Sequence, residues 1–203
     1  MTKVKICGLM EPVHVQAAVD AGVDAVGFVF APSRRRVAIA QAKELARHVP
    51  EDVMKIGVFV NATREEIERA YKEVPLDYIQ YHGGESTDFI QKIGLPSIKV
   101  LSVHSAEDVM GVSGLQSDYV LFDAPGVEFN GGSGKVFEWG YLAGELPRNR
   151  MILAGGLHAL NVREAIRQVR PFMVDVSSGV EVEGRKDEQL IREFVRIVKE
   201  EES

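Results

Sequence analysis

The one cysteine of this 203-residue chain, Cys7, stands where the β-prone run Val4-Lys5-Ile6-Cys7 meets Gly8. A lone cysteine there is either a small buried filler or a positioned thiol, because free cysteines are mostly buried and inert and reactivity needs a specific environment. We read it as a positioned thiol, since a carboxyl residue, Asp123, ends another β-prone run far along the chain. A thiolate takes a proton and a carboxylic acid gives one, so the two make an acid/base pair. Unperturbed pKa values of roughly 8.5 for the thiol and 3.9 for the aspartate leave each largely in the wrong state near neutral pH. The expectation is an enclosed site that raises the aspartate while backbone dipoles favour the thiolate.

Two further clusters suit an anion. Gly155-Gly156 and Ser177-Ser178-Gly179 combine glycines, which let backbone N–H groups approach closely, with hydroxyl donors of little bulk. Paired glycines also make plain tight turns, but both clusters together point to a phosphate. Gly131-Gly132-Ser133-Gly134-Lys135 resembles part of a P-loop but lacks its four-residue spacer and the Ser/Thr after lysine, so it reads as a lid or substrate loop. Arg34-Arg35-Arg36 is either a solvated run or the source of one guanidinium that clamps a carboxylate, and composition alone does not choose among the three. His82 either orients a neighbour or packs under a helix. His14, His48, His82, His104 and His158 show no paired ligand spacing and a lone cysteine gives no zinc signature, so no metal is expected.

Positioning these groups falls to a regular alternation of short apolar runs and longer amphipathic ones, eight of each. The strand candidates begin near Val4, Ala25, Met54, Asp77, Ser97, Asp118, Met151 and Phe172, 20 to 33 residues apart. Several are near-continuous apolar runs, the pattern of parallel strands buried on both faces. Thr63-x-x-Glu66 is a capping box ahead of Ile67, Ala70, Tyr71 and Val74 at helical spacing. Val162, Ala165, Ile166 and Val169 repeat that spacing, as do Val15, Ala18 and Val19 before Gly22. A final helix from about Asp187 carries Leu190, Phe194, Ile197 and Val198 inward, and Ser86 and Ser105 cap shorter helices over 86–93 and 104–112. No linker or low-complexity stretch interrupts the pattern, so residues 1–203 are expected to form one domain. Eight βα units make either an open doubly wound sheet or a closed (β/α)8 barrel, and the repeat number favours the barrel. Cys7, Arg34–Arg36, His82, Asp123, Gly155-Gly156, Asp175 and Ser177–Gly179 all follow strand C-terminal ends, which in a barrel share one mouth.

A net charge of −6 speaks against a general polyanion surface, so no nucleic-acid partner is expected and any anion bound should be small and locally held. One cysteine excludes an intrachain disulfide framework. No window reaches the 18 or so uninterrupted apolar residues of a membrane span, and Met1–Lys5 carries no apolar signal core. A soluble cytoplasmic protein without a membrane partner is the expectation, as a monomer or homodimer.

Lys5-Ile6-Cys7-Gly8, Gly27-Phe28-Val29-Phe30, Gly57-Val58-Phe59-Val60-Asn61, Gln80 with His82-Gly83, and Gly131 to Lys135 come in an order and spacing that continue into Ala154-Gly155-Gly156-Leu157 and Val174 to Glu181. Nearly end to end, the chain resembles the phosphoribosylanthranilate isomerase family of tryptophan biosynthesis. The resemblance implies a TIM barrel of the ribulose-phosphate-binding type and an Amadori rearrangement of a phosphorylated small molecule, N-(5-phosphoribosyl)anthranilate, without metal or organic cofactor. It also implies roles: Cys7 as general base, Asp123 as general acid, Arg36 at the substrate carboxylate, Gly155, Gly156, Ser178 and Gly179 at the phosphate, His82 and Asp175 lining the site.

Two rivals share the barrel. A sister enzyme of the aminoimidazole-ribonucleotide isomerase or indole-glycerol-phosphate synthase type would call for paired aspartates, or for lysine and glutamate groups, where this chain has Cys7. A non-catalytic phosphate-binding barrel would keep the glycines but would not need an acid/base pair at the strand ends.

Overall fold

The computed structural model describes residues 1–110, 112–124, 138–142 and 148–201. Eight parallel strands close into a barrel in chain order. They are β1 (Lys3–Cys7), β2 (Ala25–Val29), β3 (Met54–Phe59), β4 (Tyr78–Tyr81), β5 (Ser97–Ser102), β6 (Tyr119–Asp123), β7 (Met151–Leu153) and β8 (Met173–Val176). Helices α1 (Pro12–Asp20), α2 (Ile39–Ala46), α3 (Arg64–Glu73), α4 (Thr87–Ile93), α5 (Val162–Val169) and α6 (Glu188–Glu200) connect and cover them, and a hairpin of β9 (Glu181–Val182) and β10 (Arg185–Lys186) follows β8. Closure pairs β1 with both β2 and β8, setting Cys7 opposite Gly27 and Lys5 opposite Asp175.

The strands are apolar on both faces because both faces are covered. Val4, Ile6, Val26, Phe28, Ile79 and Val174 pack outward against helix residues such as Ala18, Ile67, Ala70, Ile166 and Phe194. Their neighbours Ala25, Ile56, Ile98, Leu121, Ile152 and Met173 fill the barrel, and a layer of Cys7, Val29, Ala31 and Val58 lies toward the mouth. Burying a side chain of this size contributes roughly 1.5–3 kcal/mol, so register is strongly specified.

The opposite rim is stitched by aspartates. Asp24, Asp77 and Asp118 each precede an even-numbered strand, and their Oδ2 atoms accept the backbone N–H of Val4 (2.8 Å), Lys55 (2.7 Å) and Ser97 (2.8 Å) on the strand before. Inside that rim Tyr119 stacks on Phe172 (4.9 Å) and meets Tyr78 edge-on (5.5 Å).

Helix ends follow local chemistry. Thr63 Oγ1 accepts from Glu66 N–H (3.2 Å) while Glu66 accepts from Thr63 N–H (2.9 Å), completing the capping box of α3. Ser86 caps α4, which stops at left-handed Gly94 (φ 69°), and Asp187 accepts from the N–H groups of Gln189 and Leu190 at the start of α6.

One expectation is corrected: eight helices were anticipated, and the described residues hold six α-helices. After β5 the chain makes only 3-10 turns, Ala106–Val109 and Val112–Gly114. Ser105 caps as anticipated, with Asp108 reaching back to its N–H (2.9 Å). No side chain of Ala106–Val109 is buried, however, so there is no apolar stripe to extend the turn into an α-helix. The segment after β6, including the Gly131 to Lys135 loop, lies largely outside the described residues. No described helix is long and apolar enough to cross a membrane.

Candidate active site

A cavity of about 270 Å³ opens at the C-terminal ends of the strands, lined by Cys7, Arg35, Gln80, His82, Asp123 and Asp175 among others, with Gly155, Gly156, Ser177 and Ser178 on one side. Residues 7, 82, 123 and 175 come from β1, the end of β4, β6 and β8, so barrel closure alone makes them neighbours.

Cys7 faces the cavity and is held from behind. A Cβ added at Gly27 would lie 2.8 Å from the Cys7 sulfur, so only glycine leaves room for the thiol on this strand pair. Ser177 Oγ donates to the Cys7 carbonyl (3.2 Å). Burial pushes the thiol above its ordinary range; the ammonium groups of Lys5 and Lys186 pull it down and the Asp175 carboxylate pushes it further up. What favours the thiolate here is therefore a pair of lysines, where backbone dipoles were anticipated.

Beneath the cavity floor, Lys5 is fully buried and donates to Asp175 Oδ2 (2.8 Å) and Gln80 Oε1 (2.9 Å). Burial lowers its pKa, but Asp175 and Cys7 outweigh that and the net shift is upward. The other Asp175 oxygen, Oδ1, is buried with no hydrogen-bond partner among the described residues. A buried lone acceptor costs about 1–3 kcal/mol, and it suits a donor brought by a ligand.

Across the mouth, Asp123 Oδ2 lies 3.4 Å from His82 Nε2. A buried carboxylate steadies the histidine loop: Glu85 accepts from the N–H groups of Asn61 (2.7 Å) and Gly83 (2.9 Å) and pairs with Lys99 (3.3 Å). Asn61 sits in the left-handed region (φ 50°), and its Oδ1 accepts from Gly84 N–H (2.8 Å).

At the glycine clusters, a Cβ on Gly155 (φ 84°) would come 2.3 Å from Ala124 N, and one on Gly179 would come 1.9 Å from the Leu157 carbonyl. Backbones from β6, β7 and β8 thus approach too closely for any side chain. Gly155, Gly156 and Ser178 line the cavity; Gly179 packs behind them and does not.

The three arginines part company. Arg35 is buried and forks onto Glu181 (2.6 and 2.8 Å), and Arg34 reaches the same carboxylate (2.9 Å). Lys186 also pairs with Glu181 (2.5 Å) and donates to the Ser177 carbonyl (3.0 Å). Burial raises the Glu181 pKa, but Arg35 and Lys186 outweigh it and hold the carboxyl below its usual range. Arg36 is exposed, has no ion pair among the described residues, bridges to Val29, and is not a lining residue.

A profile of the N-(5'phosphoribosyl)anthranilate (PRA) isomerase family matches residues 4–197. The chain belongs to the PRA isomerase family. The N-(5'-phosphoribosyl)anthranilate isomerase of a Bacillus cereus strain is 48% identical over 201 residues, 98% of each chain. The crystal structure of phosphoribosyl anthranilate isomerase from Thermotoga maritima superposes with a TM-score of 0.89 at 39% identity, over 98% of this chain and 100% of that one. A PRA isomerase structure in complex with reduced 1-(o-carboxyphenylamino)-1-deoxyribulose 5-phosphate matches with a TM-score of 0.86 at 36% identity, again over 98% and 100%. The (β/α)8 architecture inferred from the strand-helix beat is thus that of PRA isomerases.

Sequence reading had no role for Lys5, Glu181 or Lys186 in this PRA isomerase site, and it weighed Arg35 only as one of three candidates for a substrate-carboxylate clamp, whereas Arg35 is engaged by Glu181. A signal existed for Lys5: a charge two residues before Cys7, set between the apolar Val4 and Ile6, shares the cysteine's face.

Proposed function

We infer that this chain catalyses the isomerisation of N-(5'-phosphoribosyl)anthranilate to 1-(2-carboxyphenylamino)-1-deoxyribulose 5-phosphate, an Amadori rearrangement in tryptophan biosynthesis. The observation that carries this reading is a thiol and a carboxyl, Cys7 and Asp123, on β1 and β6 of one cavity that also holds the glycine clusters. Asp123 protonates the furanose ring oxygen; the C1–O bond breaks and the anilino nitrogen forms an iminium with C1. Cys7, as thiolate, takes the proton from C2, and the resulting enolamine tautomerises to the aminoketose. The phosphate rests on backbone N–H groups near Gly155, Gly156 and Ser178, with Gly179 keeping those backbones close. Arg36, with no competing carboxylate among the described residues, meets the anthranilate carboxylate, while His82 and Asp175 line the sugar. Anchoring both ends of the substrate fixes the reacting carbon between them, so positioning supplies part of the rate.

The test is turnover of N-(5'-phosphoribosyl)anthranilate, followed by loss of its anthranilate-type fluorescence on adding the protein. Saturable, protein-dependent loss supports the reading. No turnover by folded protein overturns it.

A further inference from the structure

Acid/base chemistry at Cys7 faces an electrostatic obstacle, because a thiolate in a buried site is disfavoured unless a positive charge accompanies it. Lys5 meets this need. It shares the inward face of β1 with Cys7, two residues away. A Cβ at Gly27 would lie 2.8 Å from the Cys7 sulfur and 3.2 Å from Lys5 Cε, so both side chains flank one point of the opposite strand. The ammonium cannot turn away to solvent: it is fully buried, with Asp175 Oδ2 at 2.8 Å and Gln80 Oε1 at 2.9 Å. Lys5 does not line the cavity, whereas Cys7, Gln80 and Asp175 all do.

We propose that Lys5 is a positioning residue for the general base: its ammonium, clamped by Asp175 and Gln80 under the cavity floor, is the counter-charge that lets Cys7 stand as a thiolate. This deepens the reading of Cys7 as base and rests on it. Without Asp175 the ammonium would lose its charge in the dry interior, and without Gln80 to share it, it would swing wholly onto Asp175. With both, Lys5 keeps a net attraction for a second anion. The other charged or titratable groups around the thiol are Lys186 from β10, Asp175 from β8, Arg35 from the loop after β2, and His82 and Asp123 across the cavity. Of the cations near the sulfur, Lys5 draws the thiol down most strongly, ahead of Lys186, and it is the one that shares the inward face of β1 with Cys7.

Because Cys7 is the only cysteine, alkylation by iodoacetamide reports its thiolate directly. The pH midpoint of alkylation is measured for the native protein, Lys5→Met and Lys5→Arg, beside the pH profile of kcat/KM. The expected result for Lys5→Met is a midpoint raised by about one pH unit or more, the usual scale for removing a nearby opposite charge. Its kcat at neutral pH should fall about tenfold or more and recover as the pH is raised. Binding of reduced 1-(o-carboxyphenylamino)-1-deoxyribulose 5-phosphate should change by less than a few-fold, and Lys5→Arg should stay nearer the native midpoint. A merely structural lysine would move stability and leave the midpoint where it was, and that outcome overturns the proposal. Lys5→Met leaves Asp175 unpaired; if it does not fold, the double variant Lys5→Met/Asp175→Asn is compared with Asp175→Asn alone. A higher midpoint in the double variant supports the proposal, and equal midpoints overturn it. Failure of the underlying reading looks different: Cys7→Ser would then turn over normally. Loss of turnover in Cys7→Ser beside an unmoved midpoint in Lys5→Met would sink this inference alone.

Discussion

The two ends of the barrel use the same residue type in opposite ways. At the closed rim, Asp24, Asp77 and Asp118 each spend a carboxylate oxygen on a backbone N–H of the neighbouring strand. At the mouth, among the described residues, Asp175 leaves one buried oxygen with no partner and Asp123 has a 3.4 Å approach to His82. An aspartate just before a strand meets N–H groups that strand pairing has not satisfied, so it becomes a staple. An aspartate at the other end of a strand looks into a cavity where its remaining capacity stays open for a ligand. In a parallel barrel the work of the carboxylates is thus divided by strand direction.

That division is open to attack at several strengths. The strongest blow falls on Cys7→Ser and Asp123→Asn: each is expected to lose about 10²- to 10⁴-fold in kcat, the scale of a positioned proton-transfer group, with the melting temperature nearly unchanged. Steady-state kinetics with calorimetry on the same samples checks both halves, and near-normal turnover would mean that the mouth residue is only packing.

Glu181→Ala strikes behind the mouth, since it removes the anion shared by Arg34, Arg35 and Lys186. Uncompensated buried charge costs about 3–5 kcal/mol, read as a lowered denaturant midpoint. The same carboxyl carries a pH signature. Its folded pKa is depressed, so its contribution is present above the ordinary value near 4.5 and is lost as pH falls through the lower folded value. Stability of the native protein should therefore decline below about pH 4.5 more steeply than that of Glu181→Gln, in chemical denaturation across the acid range.

A milder change, Arg36→Ala, should raise KM about tenfold through loss of a charge-assisted pair with the substrate carboxylate, while Arg34→Ala stays near native. Equal small effects for both would return Arg36 to a solvated loop position. The smallest effect belongs to the closed rim: Asp118→Ala should lose about 1–2 kcal/mol of stability by stranding the Ser97 N–H, with kcat and KM unmoved. A fall in kcat there would break the division altogether.

How far these contrasts could be read without coordinates depended on their range. Strand starts fell within a residue or so of expectation because apolar runs such as Ala25–Val29 are local signals, buried on both faces. The α3 cap was legible for the same reason, being complete within four residues. The turn after β5 carried a cap signal in Ser105 but no apolar stripe, and the cap alone misled. Charge partnerships were illegible in principle. Lys5 finds Gln80 and Asp175 at separations of 75 and 170 residues. Among three adjacent arginines, nothing local tells that Glu181 takes two of them. Such pairs become readable only once register is known, because a strand's inward face is shared with whichever strands closure brings beside it.

The pairing of β1 with β8 also gives the molecule a sense of time. A chain emerging from the ribosome presents Lys5 and Cys7 first, yet Asp175, Ser177 and Lys186 come almost last. The seam cannot close before β8 has been made, and closing it joins residues about 170 apart in the chain. Until it forms, the thiol is an ordinary exposed cysteine and the lysine an ordinary cation. The act that seals the barrel also arms it, and a chain cut short before β8 lacks the carboxylate that clamps Lys5 and the Asp175–Ser178 side of the cavity.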